Sequence, residues 1–209
     1  WRKRDVYESP AIGRMPALHE PFDPDAWKPG IPNAAMLRLL ADDAFWAAQR
    51  VTAFSDAMIR AVVGTAHFTS AEAAQFIVDS LIARRDAIGR AYLTRVNPIV
   101  EPALSPDGRL TFGNAAVTAG FAPAPAGYTA DWARFDNATG ALAPLGASEG
   151  RDALTAPAAL PAGAGEFVRV AIGARDAAHS SWAVPVHAFF RRSAGGAWQL
   201  VGFDRLPPS

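Results

Sequence analysis

Residues 69–96 carry no proline and a single glycine, and the pair Asn97-Pro98 follows them. Thr69 and, three positions later, Glu72 form a capping-box pattern, which predicts the start of a long helix. A residue that precedes a proline disfavours helical conformation, so the helical part should end near Val96, just before Asn97-Pro98. Beyond that point Pro, Gly and Ala interrupt every apolar run. The sequence therefore predicts a helical part followed by a β-rich part.

The long helix is predicted to be amphipathic. Successive residues of a helix are about 100° apart, and the large apolar side chains then fall within an arc of roughly 160°. We expect this side to face a core, with Ile77, Leu81, Ile88 and Tyr92 among its buried residues. Replacing Leu81 with Ala should then cost about 2–5 kcal/mol.

Arg85 lies near the middle of that apolar side. Together with Arg84, Arg90 and Arg95 it could receive a phosphate or a carboxylate of a ligand. A salt bridge to a carboxylate of the preceding helices or of the amino-terminal segment would satisfy the same charge. We favour this second reading, in which Arg85 forms a structural ion pair.

Two shorter helices are predicted before the long one. Asp42 can cap a helix that carries Phe45 and Trp46, and Ser55 can cap a second helix that ends near Gly64. We therefore expect a helical subdomain over residues 33–98.

Residues 1–32 contain six prolines, which exclude a long helix. Large apolar side chains nevertheless recur there, so we expect an extended, proline-rich arm that lies on a folded surface. Tyr7, Phe22 and Trp27 are its candidate protein-interface residues, and the surface they cover could belong to this chain or to a neighbour.

Alternating apolar residues predict strands near residues 109–112, 128–135, 166–172, 182–190 and 198–203. The last two flank Ser193-Ala194-Gly195-Gly196, which predicts a hairpin. Residues 138–165 are rich in Ala, Pro and Gly, which predicts an irregular crossing loop. The predicted class is α+β, with an antiparallel β-sandwich of immunoglobulin or fibronectin type over residues 99–209.

Composition excludes several classes of protein. The formal net charge of the 209 residues is zero, whereas proteins that bind nucleic acid usually carry a basic excess. No apolar run reaches the ~18 residues that cross a bilayer. The chain contains no cysteine, so disulfides, thiolate metal sites and Cys nucleophiles are excluded. It begins with Trp1 rather than Met, and we expect a further segment upstream.

Candidate chemistry is sparse. His19, Glu20, Asp23 and Asp25 could offer metal ligands, but their spacing matches neither a zinc nor a calcium signature, and we expect no metal and no cofactor. Residues 136–140, which begin with Asp136 and Asn137, have the composition of a turn. We find no Gly-x-Ser-x-Gly elbow, phosphate-binding Gly loop or His-Glu-x-x-His motif, which favours a noncatalytic protein.

Several segments carry a resemblance. They are residues 43–48, 54–63, 81–90 and 96–98, the stretch Pro24-Asp25-Ala26-Trp27-Lys28-Pro29, and the stretch Arg134-Phe135-Asp136-Asn137. Together they resemble the carboxy-terminal region of large, uncharacterised, exported bacterial proteins. The upstream part of those proteins is similar to a kinase-type fold, and the resemblance implies that any phosphate-handling residues lie there.

These observations lead to two functional expectations. The first is a noncatalytic interaction or accessory module of an extracytoplasmic bacterial assembly, periplasmic or facing the exterior, which binds other protein chains or its own parent chain. The alternative is the carboxy-terminal fragment of an enzyme whose active site lies mostly outside this chain. A cleft of clustered acids, bases and histidines would favour the enzyme.

Overall fold

The structure is a computed structural model that describes residues 22–28, 30–31 and 33–206. Its class is α+β, and the chain divides into two compact units, the first ending at Tyr92 and the second beginning at Leu93. The helices are α1 (Ala34–Leu37), α2 (Ala41–Thr52), α3 (Asp56–Gly64), α4 (Ala71–Leu93) and α5 (Ala115–Thr118). The strands are β1 (Ile99–Leu104), β2 (Arg109–Asn114), β3 (Gly127–Phe135), β4 (Leu142–Gly150), β5 (Leu154–Thr155), β6 (Phe167–Arg175), β7 (Val186–Arg192) and β8 (Trp198–Asp204). The predicted limits of arm, helical subdomain and sandwich stay predictions.

The starts of the helices follow local side-chain chemistry. Ser55 caps α3 as predicted, since its hydroxyl accepts a hydrogen bond from the Met58 amide at 3.2 Å. The other two predicted caps are wrong by one or two residues. Leu40 precedes α2, and its amide donates to Asp43 at 2.9 Å. Ser70, rather than Thr69, accepts from the first turn of α4.

The buried side of α4 agrees only in part with the predicted one. Val78, on the predicted apolar side, is buried in a cluster with Ile59 and Val63 of α3, and Ile77 is only partly buried against that cluster. Leu81 is 38% exposed, so its predicted burial is wrong. Leu81 is exposed because the packing of α2, α3 and α4 leaves a groove at its position.

The second unit contains two antiparallel sheets, an arrangement compatible with a sandwich. The three-stranded sheet has the order β1-β2-β5, and the five-stranded sheet has the order β4-β3-β6-β7-β8. Trp132, Val170 and Phe190 point to the same face of the larger sheet and are fully buried there. The predicted hairpin of β7 and β8 is confirmed, with Gly196 at a positive φ of 84° in its turn.

Two predictions for this unit are wrong. Residues 138–165 are not the predicted irregular loop, since they include β4 and β5. β4 pairs along its length with β3 despite its weak apolar pattern. β4 lies at the edge of the sheet, and its side chains are little buried on either face. Its sequence therefore does not need to alternate apolar and polar residues. Trp182 lies in a 3-10 helix, Ser180–Ala183, rather than in a strand.

Asn97 is the main polar group buried in the second unit. Its side-chain amide donates to the carbonyl oxygens of Ile172, Trp182 and Val184 at 2.9, 3.1 and 3.0 Å. Its side-chain oxygen accepts from the Ile99 amide at 3.2 Å. Asn97, four residues after the end of α4, therefore ties β1 to β6 and to the 3-10 helix.

None of the described helices combines the length and the apolar character that crossing a bilayer requires.

Candidate functional site

An apolar groove of about 520 Å³ lies between the last turn of α2, helix α3 and the middle of α4. Its apolar walls come from Val51, Phe54, Ile59, Val62, Leu81 and Ile88, and Arg50, Arg84 and Arg85 also line it. Several wall residues are unusually exposed for their size, with Val62 at 62% and Phe54 at 49%. Exposed apolar surface of this kind is typical of a site that another molecule covers.

Arg85 stands at one side of the groove and is held by two carboxylates. Its guanidinium lies 2.8 Å from Asp56 and 2.8 Å from Asp86, and it donates to the Phe54 carbonyl at 2.8 Å. Burial by itself lowers the pKa of Arg85, but hydrogen bonds and charge from Asp86 and Asp56 outweigh it and raise the pKa above its ordinary value. That its role is purely structural stays a prediction.

The other two arginines of the groove have no such partner. Among the described residues, neither Arg50 nor Arg84 has a carboxylate within ion-pair distance. The Arg84 guanidinium lies 5.5 Å from the centre of the Phe22 ring, a cation–π distance. The groove therefore carries uncompensated positive charge beside an apolar surface.

Of the three predicted interface residues, Tyr7 lies outside the described residues. Phe22 is half-buried beside Arg84, and Trp27 is 56% exposed. Between them the Pro24 carbonyl accepts a hydrogen bond from the Tyr92 hydroxyl at 3.0 Å. Residues 22–28 are thus held to α4, and Trp27 adds a large exposed apolar side chain to this unit.

The four candidate metal ligands of the amino-terminal segment lie only partly within the described residues. His19 and Glu20 lie outside the described residues, and the Asp23 carboxylate accepts from the Asp25 amide at 2.9 Å. In the part of the chain that the structure describes, no three His, Asp or Glu side chains come close enough to hold a metal ion.

Residues 136–140 form the predicted turn at one end of β3. The Asp136 carboxylate accepts from the amides of Thr139 and Ala138 at 3.1 and 2.8 Å, and these hydrogen bonds lower its pKa. A second cavity, of about 530 Å³, lies beside the turn. Arg134 and Glu166 form a two-point ion pair at its wall, with distances of 2.9 and 2.6 Å, so each largely neutralises the other.

One histidine has a carboxylate partner. His179 Nδ1 lies 2.9 Å from Asp176, and the ring stacks on Trp182 at a centroid distance of 4.6 Å. The same carboxylate also accepts from two backbone amides, which makes it part of a local turn. Among the described residues, no hydroxyl forms a hydrogen bond with the His179 ring.

Sequence reasoning missed the groove as a whole. Its walls come from three helices, and each wall residue also fits an ordinary amphipathic pattern. The sequence contained one signal of the groove. Residues 51–62 carry more large apolar side chains than two short helices need in order to bury one side each. Comparison of the chain with known protein families, with curated proteins and with solved structures finds no match.

Proposed function

We propose that this chain is a noncatalytic accessory module of an extracytoplasmic bacterial assembly, and that its helical unit docks an acidic amphipathic helix of a protein segment outside these 209 residues. The single observation that carries the proposal is the apolar groove with arginines at its edge. The extracytoplasmic setting rests on the sequence resemblance. We further propose that the two sheets form a sandwich of immunoglobulin or fibronectin type.

A helix is the occupant that suits the groove. Leu81 and Ile88 are seven residues apart on one side of α4, and Val62 of α3 stands on the facing wall. Such walls match a partner helix that presents apolar side chains at positions i, i+3 or i+4, and i+7. The groove would bury these side chains, and their transfer from water would supply most of the affinity.

Charge complementarity indicates that the partner helix is acidic. Arg50 and Arg84 face the groove without a carboxylate partner among the described residues. Arg85, by contrast, is already compensated by Asp56 and Asp86. Acidic residues beside the apolar side of the partner helix would pair with Arg50 and Arg84. These ion pairs would fix the direction in which the helix binds.

The test uses the full chain and two designed amphipathic peptides with the same leucines, one flanked by glutamates and the other by lysines. We expect the glutamate peptide to bind and the lysine peptide to bind at least about tenfold more weakly, with the difference shrinking at high salt. Leu81→Asp or Val62→Asp should abolish binding, because each places a charge in the groove. Val201→Asp is the matched control, since Val201 is 53% exposed in the other unit.

Three outcomes would overturn the proposal. The first is equal binding of both peptides, or binding of neither. The second is a homodimer in sedimentation experiments that Leu81→Asp dissociates, which would make a second copy the occupant. The third is peptide binding that appears only after residues 1–21 are removed, which would make that segment the occupant.

A further inference from the structure

Arg84 belongs to the side of α4 that lines the groove. Leu81 stands three residues before it and Ile88 four residues after it, and all three are wall residues. Residues with these spacings are neighbours on one side of a helix. The charge of Arg84 therefore lies directly beside the apolar surface that a partner helix would cover.

Phe22 is the aromatic neighbour of Arg84. The guanidinium carbon lies over the Phe22 ring at 5.5 Å from its centre, and both side chains are half-buried. A cation over the face of a ring is attracted by the negative charge of the π system. Among the described residues Arg84 forms no ion pair, so this ring is its principal electrostatic partner in the free chain.

A ring beneath a guanidinium leaves the hydrogen-bonding groups of arginine available. The N–H donors lie in the plane of the guanidinium, so an aromatic side chain on one face does not occupy them. A carboxylate binds in that plane and can accept two parallel hydrogen bonds. Phe22 can therefore hold Arg84 in one orientation while its donors stay free for a carboxylate of the partner.

The position of the Phe22 ring is fixed by the segment that follows it. The Pro24 carbonyl accepts a hydrogen bond from the Tyr92 hydroxyl at 3.0 Å, which joins the segment to the last turn of α4. The Asp23 carboxylate accepts from the Asp25 amide at 2.9 Å and closes a local turn. Phe22 is thus placed beside α4 by a contact between residues 68 positions apart.

Arg50 provides a contrast within the same groove. It is exposed, and it has no ion pair or ring contact among the described residues. A free arginine side chain loses rotamer freedom when it binds a carboxylate, whereas one already held in place loses less. Arg84 should therefore contribute more than Arg50 to the binding of an acidic partner.

We infer that Phe22 is a positioning residue, which orients Arg84 to bind a carboxylate of the acidic partner helix. The role of Phe22 rests on the proposed function of the groove, and it makes residues 22–28 part of the docking site. The partner helix should carry a glutamate or an aspartate directly beside its apolar side chains, because Arg84 lies between Leu81 and Ile88.

The experiment measures calorimetrically how the full chain binds two designed amphipathic peptides with the same leucines, one flanked by glutamates and the other by glutamines. Glutamine has nearly the size of glutamate without its charge, so the ratio of the two affinities reports the pairing with arginine. Phe22→Leu keeps an apolar side chain and removes the ring. We expect it to weaken binding of the glutamate peptide about three- to tenfold and to change binding of the glutamine peptide less than about twofold.

Further variants serve as controls. Phe22→Tyr keeps the ring and should bind both peptides as the natural chain does. Arg84→Gln should weaken binding of the glutamate peptide at least about tenfold, and Arg50→Gln less than about threefold. In the Arg84→Gln background Phe22→Leu should have no further effect, because the ring then has no cation to position.

NMR of the free chain gives a readout that needs no peptide. The ring current of Phe22 should shift the signals of the Arg84 side chain, and Phe22→Leu should remove this shift while the unfolding temperature changes little. Arg84 signals that are the same in the natural chain and in Phe22→Leu would contradict the positioning role.

The peptide results distinguish failure of this role from failure of the proposed function. If the natural chain binds neither peptide, the docking proposal fails, and the role of Phe22 fails with it. If the natural chain prefers the glutamate peptide and Phe22→Leu keeps that preference, only the role of Phe22 is overturned. A loss of affinity that is equal for both peptides would also overturn it, since Phe22 would then contribute only apolar packing.

Discussion

The arginines of this protein differ in what surrounds them, and the differences determine what each can do. Arg85 has two carboxylates and a carbonyl within 2.8 Å. Arg169 has no such partner among the described residues, although its Nε atom is buried. The first arrangement compensates the charge of the guanidinium, whereas the second leaves a buried donor without an acceptor among the described residues.

Arg85→Met should lower the free energy of unfolding by about 1–3 kcal/mol, because it removes the hydrogen bonds and the nearest positive charge of two carboxylates. Asp56 is 46% exposed, which limits the loss. Arg60→Met is the matched control, since Arg60 lies 3.8 Å from the same carboxylate and is 53% exposed; we expect a change within about 0.5 kcal/mol. Urea denaturation measures both. Unchanged stability together with lost peptide binding would instead make Arg85 a ligand anchor.

At the level of elements, α4 contributes to two neighbouring surfaces, a packed cluster and a groove. Val78 packs with Ile59 and Val63, and this cluster holds α4 against α3. Leu81 and Ile88 belong to the groove. The large apolar side chains of α4 therefore do not all contribute equally to stability.

Leu81→Ala should cost less than about 1 kcal/mol, because a side chain that is already 38% exposed loses little burial. Ile59→Ala, at 7% exposure in the core cluster, should cost about 2–5 kcal/mol. Thermal and urea unfolding of the two variants test the contrast. Equal costs would mean that Leu81 belongs to the core and that the groove is not a free surface.

On the scale of the whole molecule, the chain changes from one unit to the other between Tyr92 and Leu93. Four residues further on, Asn97 begins the polar connections of the second unit. Trp182 donates to the Thr94 carbonyl at 2.9 Å, and Arg205 donates to the Asn97 carbonyl. The segment after α4 is therefore bound into the second unit from its first residues.

Asn97→Ala should destabilise the second unit by about 3 kcal/mol, because three buried or partly buried carbonyls and one amide lose their partner. Hydrogen exchange should speed up in β1, β6 and the 3-10 helix while α2 and α3 keep their protection. Asn137→Ala, in an exposed turn, is the control and should leave both units unchanged. Faster exchange in α2 and α3 to the same degree would contradict this division of stability.

The sequence by itself determined helices α2 to α4 and strands β2, β3, β6, β7 and β8, because hydrophobic period, capping and turn residues act over a few neighbouring positions. Ser55 begins α3, and the turn at residues 193–196 joins β7 to β8, as local chemistry predicts. The edge strand β4 escaped prediction, because a strand with little burial on either side needs no alternation.

Only the tertiary structure decided which of these residues meet. Leu81 and Val78 fit the same helical pattern, and the position of α3 buries one of them while leaving the other beside a groove. Asn97 finds its carbonyls on β6 and near the 3-10 helix, far along the chain. Arg169 is unpaired because its ladder neighbours are Ala133 and Phe189. Burial and charge pairing depend on residues distant in sequence, so local patterns cannot determine them.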